Sequence, residues 1–152
     1  MYLAFLTVGC SDPEPAPTID RIELRVSGWS AVDVEVNSRG EGKYHLSHPL
    51  PNGRGGSFSV QPQQFTALIE RLQPFQRQAV PVTDKSTREF IDRTCPKGVP
   101  FVTDAGAVWV HWIGPGFDQH YLADLGCDAR RNTARNKALL DVVKSLPVPL
   151  DW

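Results

Sequence analysis

The sequence predicts an α+β domain built on an antiparallel sheet, and three observations carry that expectation. Two runs between Asp20 and Val36 alternate apolar and polar residues with period two, the mark of half-buried strands. The period changes to 3.6 after Pro62 and again after Asp128. The order is therefore a strand meander and a helix, then a second meander and helix. Each helix carries one apolar stripe that has to cover a sheet face.

The first strand places Ile22, Leu24 and Val26 on one face and Arg21, Glu23 and Arg25 on the other. The turn-like Ser27-Gly28-Trp29-Ser30 leads to Val32, Val34 and Val36 interleaved with Asp33 and Glu35, so the two runs form a hairpin. Ser38 to Gly42 is a second turn, and Lys43 to Ser47 a third antiparallel strand. Pro49 to Gly56 reads as a loop and Ser57 to Val60 as a short strand. Phe65, Leu68, Ile69 and Leu72 then define an amphipathic helix from Pro62 that ends near Pro74. Residues 76–98 are polar and irregular, with one short helical turn around Phe90 and Ile91. Pro100 to Thr103 and Ala107 to Ile113, joined by Asp104-Ala105-Gly106, form a second hairpin. Gly114-Pro115-Gly116 leads into a strand from Gln119 to Leu125. Asp128 is expected to cap the last helix, whose stripe is Ala134, Ala138, Leu139, Val142, Val143 and Leu146 before Pro147 stops it.

Sixteen Lys and Arg nearly balance seventeen Asp and Glu. That argues against a nucleic-acid partner, which calls for a strong basic excess. No apolar run reaches the roughly 20 residues that span a bilayer. Ordinary apolar content and the number of residues after the tether fit one domain.

The residues offer little chemistry. The four histidines are His45, His48, His111 and His120. His111 and His120 can face each other across adjacent strands beside Asp118, which makes a small-ligand or zinc site the alternative reading, although the spacing is no recognised ligand signature. No serine lies in a Gly-x-Ser-x-Gly elbow, and Gly53-Arg54-Gly55-Gly56 lacks the helix start of a phosphate cradle. No catalytic residue, metal site or cofactor is assigned. Trp109 and His111 share one strand face, and Val108, Val110 and Trp112 the other. If the valine face is buried, Trp109, His111, Phe117, Asp118 and His120 become a candidate binding patch. Arg130, Arg131, Arg135 and Lys137 near or on the last helix could meet anionic lipid or polysaccharide.

Cys10 follows the short apolar stretch Tyr2 to Gly9 and precedes Ser11-Asp12-Pro13-Glu14-Pro15-Ala16-Pro17. This layout resembles a bacterial lipoprotein signal. The resemblance implies a signal remnant at 1–9, a diacylglycerol on Cys10, a Pro-rich tether at 10–18 and a domain at 19–152. It also implies envelope localisation, with the domain in the periplasm, and Ser11 after the cysteine favours the outer membrane. With Cys10 lipidated, Cys95 and Cys127 remain as a pair that an oxidising periplasm would join. The third reading, behind the small-ligand one, is an enzyme, either a hydrolase or, with both thiols reduced, a thiol-dependent one. From Asp20-Arg21-Ile22-Glu23-Leu24 through a Gly turn, helix, second hairpin and closing helix, the chain resembles a family of small secreted bacterial domains of unknown function, over roughly Asp20 to Val148. Family members carry cysteines where this chain has Gly28-Trp29-Ser30. The resemblance implies a fold and no activity. The expectation for function is a non-enzymatic envelope lipoprotein that meets the membrane through its lipid and binds an envelope protein.

Overall fold

A computed structural model describes residues 18–29, 31–48 and 53–150. Cys10, the signal-like stretch and the tether up to residue 17 lie outside the described residues. The strands are β1 (Arg21–Ser27), β2 (Ala31–Asn37), β3 (Glu41–His48), β4 (Arg54–Ser59), β5 (Val80–Pro81), β6 (Ala107–Gly114) and β7 (Phe117–Asp124). The helices are α1 (Pro62–Gln76), α2 (Ser86–Thr94) and α3 (Thr133–Lys144). All seven strands join one sheet in the order β4-β3-β2-β1-β6-β7-β5, and every pairing is antiparallel. The fold class is α+β, as the periodicities predict.

Register follows from the alternation. Leu24 lies opposite Val34 on one side and Val110 on the other, with Ile22 and Val26 likewise flanked by apolar partners. A one-residue slip would turn this whole set to solvent, so the pattern fixes the pairing. Phe65, Leu68, Leu72 and Phe75 of α1 and Leu139, Val142 and Val143 of α3 belong to the same buried core. The opposite face carries Arg21, Glu23, Arg25, Asp33, Glu35, Lys43 and His45, and stays polar.

Several expectations need correction. The strand β4 begins inside the stretch read as a loop, because Gly55 and Gly56 mimic a linker. Glycine serves packing there: a Cβ on Gly56 would run into the Tyr44 ring, and one on Gly42 into the Phe58 ring, so each aromatic lies over a glycine of the neighbouring strand. The helix α1 continues through Pro74 to Gln76, which brings Phe75 onto the core. Its start matches the sequence, with Pro62 in the first turn and the Gln64 side chain accepting the Gln61 N–H at 2.7 Å. Pro100 to Thr103 does not form a hairpin with β6. Phe101 makes a single bridge to Cys127, and β6 pairs with β7 instead. The strand β7 starts at Phe117, two residues earlier than expected. Asp128 does not cap α3. It sits at φ 41° before an extra turn, and α3 starts at Thr133 with Ala134 and Ala138 exposed. The short β5 was not anticipated.

Cys95 and Cys127 form a disulfide, with their Cα atoms 5.8 Å apart. It ties the end of α2 to the segment after β7. Beside it, Gly106 at φ 79° packs its backbone against Gly28, and any Cβ there would collide with the Ser27 carbonyl. The turn between β1 and β2 is thereby held against the loop that enters β6.

Candidate functional site

The sheet brings Trp109, His111, Asp118 and His120 together on the face away from α1 and α3. His111 lies directly opposite both Glu23 and His120, and Trp109 opposite Arg25 and Leu122. Phe117 does not belong to this patch. It has the other strand parity and packs against the core as a partly buried residue. His120 is on the right face but is no surface group, since only 1% of it is exposed. The cover comes from α2 at the β5 edge, which supplies Ser86 and Phe90.

Hydrogen-bond direction defines the state of His120. The Trp109 indole can only donate, and its Nε1–H points to His120 Nδ1 at 3.1 Å. Nδ1 must therefore be unprotonated. The ring proton resides on Nε2, which donates to Ser86 Oγ at 2.9 Å. Ser86 Oγ also accepts the Thr83 N–H at 2.9 Å and donates to the Thr83 carbonyl at 3.0 Å. A serine that accepts a hydrogen bond from its histidine has no general base in that ring, so this buried Ser–His pair is a satisfied polar seam rather than a nucleophile. Sequence reasoning missed Ser86. The local signal was the spacing of Thr83 and Ser86, whose side chains exchange bonds with each other's backbone N–H. Nothing in the sequence pairs Ser86 with a residue 34 positions away.

Burial, followed by the neighbouring His111, holds the His120 pKa below its ordinary 6.5, while Asp118 opposes the shift. The unfolded chain then takes up the proton first. This contribution to stability is complete above about pH 6.5 and is lost as the pH falls from there towards the folded-state pKa. Denaturant unfolding of wild type and His120→Asn at pH 7.5 and pH 5 is expected to show the wild type losing its advantage at the lower pH. A difference independent of pH would refute this account.

His111 is clamped from both sides. Its Nδ1 lies 3.2 Å from Glu23 Oε2 and its Nε2 2.5 Å from Asp118 Oδ1. The two carboxylates occupy opposite edges of the ring and cannot converge with it on one ion. His120 has both nitrogens engaged elsewhere, so His111, Asp118 and His120 do not assemble a zinc site, and the described residues contain no cluster of three ligands suited to a metal. His45 is exposed on the same side of β3.

Around this seam the face is paired and polar. Arg25 bonds Asp33 at 2.5 Å, and Arg21 approaches Glu23 at 3.2 Å and Glu35 at 4.0 Å. The Arg25 guanidinium also stands 5.4 Å from the Trp109 ring centre, so a cation–π contact adds to the fixed indole N–H in holding that ring. Trp109 borders two shallow hollows. One, of about 320 Å³, is lined by Glu23, Arg25, Asp33, Glu35 and Lys43; the other, of about 270 Å³, by Ser27, Thr87 and Leu122. Such a surface can bind a ligand with donors and acceptors held in place, and it presents no activated nucleophile.

The basic residues around the last helix do not form one patch. Arg135 turns inward to donate to the Asp124 carbonyl at 2.6 Å, and Lys137 pairs with Asp141. Arg130 and Arg131 remain exposed. No helix among the described residues is long and apolar enough to cross a membrane. Comparison with known proteins finds no family model that matches the chain and no curated protein that is similar to it.

Proposed function

We propose that this chain is a non-enzymatic envelope lipoprotein, held by a diacylglycerol on Cys10 with its α+β domain in the periplasm, outer membrane favoured, where it binds another envelope protein. The observation that carries the binding role is the open sheet face. His111 and His120 are engaged through both ring nitrogens, while Trp109 and the ion-paired side chains around it stay accessible. The Cys95–Cys127 disulfide supports the compartment, because such bonds persist in oxidising surroundings. It also takes both described cysteines out of thiol chemistry and leaves Cys10 as the odd one.

Intact mass of the native protein from its own membranes, with and without reductant, tests the reading. The expected species begins at Cys10, carries added lipid mass and gains two hydrogens on reduction. An unprocessed chain with three free thiols would remove the anchor and the compartment together.

A further inference from the structure

The open face is not the only accessible surface, and the apolar one lies elsewhere. Among the described residues the large apolar side chains most exposed are Trp29 at 80%, and Phe101 and Val102 at 55% each. All three sit at one end of the sheet. Trp29 is in the turn after β1, whose Gly28 packs on Gly106, and Val102 lies beside Gly126, to whose carbonyl it donates its N–H at 3.0 Å. The chain enters at the other end, where Thr18 packs on Gly114 and Asp20 donates to the Ile113 carbonyl. The seven residues of β1 separate the two ends by about 20 Å.

Exposed apolar loops usually fold back and cover themselves. This one is prevented from doing so. Pro100 accepts the Asp128 N–H at 2.8 Å, Phe101 bridges to Cys127, and the disulfide fixes Cys127 to α2. Asp124 Oδ1 accepts the N–H groups of Gly126 and Cys127, and Asn136 donates to the Leu125 carbonyl. The loop is braced through its backbone while Phe101 and Val102 each stay 55% exposed. Trp and Arg are enriched in protein hot spots and Phe at protein interfaces, and a braced loop lowers the entropic cost of docking.

We infer that Trp29, Phe101 and Val102 form a docking tip for a protein partner that offers an apolar cleft with an acidic rim. Exposed Lys97 precedes Phe101 by four residues, and exposed Arg130 and Arg131 follow its bridge partner Cys127 by three and four, against the exposed carboxylate of Asp104 and the half-buried one of Asp128; this basic excess is the complementary charge. The inference rests on the binding role proposed above, and it moves the principal contact from the sheet face to the end away from Thr18.

The test is site-specific photo-crosslinking of the full chain in its native cells. A benzophenone amino acid replaces Val102 in one strain and Lys43, on the open face, in another. The expected result is one discrete protein adduct from position 102 that disappears when Trp29→Ser is added, with no adduct from position 43. The melting temperature of Trp29→Ser should match that of wild type within about 3 °C, since an exposed side chain adds little to the fold. An adduct from position 43 alone would overturn the tip and leave the binding role standing. No adduct from either position would remove both. An adduct at twice the mass of the native chain, an adduct to lipid, or one indifferent to Trp29→Ser would each overturn the tip as a docking site for another protein.

Discussion

Phe90→Ala is expected to destabilise the domain by about 3–5 kcal/mol, the usual cost of emptying a buried aromatic site. Phe90 is 1% exposed, and with Ser86 it is one of only two buried residues of α2. Its ring stands edge-on to Tyr121 at 5.2 Å and lies 5.9 Å from His120, with the Arg93 guanidinium 5.0 Å from its centre. Little else apolar holds this helix to the sheet. The loss should therefore be uneven: hydrogen exchange in α2 should rise well before that in β1 or β6, and His120 should become accessible. The melting temperature should fall by roughly 8–16 °C. A uniform drop of less than about 1 kcal/mol would mean that α2 is held by something other than Phe90.

Removing the disulfide ranks second. For a closed loop of 32 residues, chain entropy alone predicts a loss of about 3.7 kcal/mol in Cys95→Ser/Cys127→Ser. The double variant avoids leaving one unpaired thiol to react. Because the bridge also braces the loop that bears Phe101 and Val102, its removal should weaken any contact made there more than one made at Trp109. Urea unfolding of the double variant beside oxidised wild type measures the first effect, and the cross-linking yield at position 102 the second. Equal stability with and without the bridge would show that the unfolded chain is already compact around these segments.

The elements read most securely from sequence are those that bury one face along their whole length. β1 and β2 alternate without interruption, and the α1 stripe recurs at helical spacing, so a local window contains the evidence for them. β4 was half legible because its glycines carry information only beside Tyr44 and Phe58, which sit on the neighbouring strand and on β4 itself. The segment from Pro100 to Thr103 has strand-like residues, but the edge it would need is taken by β7, and Phe101 and Val102 stay exposed as a result. The candidate patch was legible as a strand face and no further. Parity separates Phe117 from Asp118, whereas the burial of His120 depends on α2, which a sequence window cannot bring beside it. The reciprocal contacts of Ser86, and the meeting of Gly28 with Gly106, belong to the same class of long-range information.

The bridge between Cys95 and Cys127 encloses Lys97, which is exposed on the loop after α2. A protease that cuts after Lys97 would therefore cleave the polypeptide without dividing the molecule. The upstream piece keeps β1 to β5 and the downstream piece β6 and β7, yet β1 still pairs with β6, β5 still pairs with β7, and the sulfur bond still joins the two. Such a nicked form would run as one species on a non-reducing gel and as two after reduction. The domain can thus lose the continuity of its backbone at this point and persist as a two-chain protein.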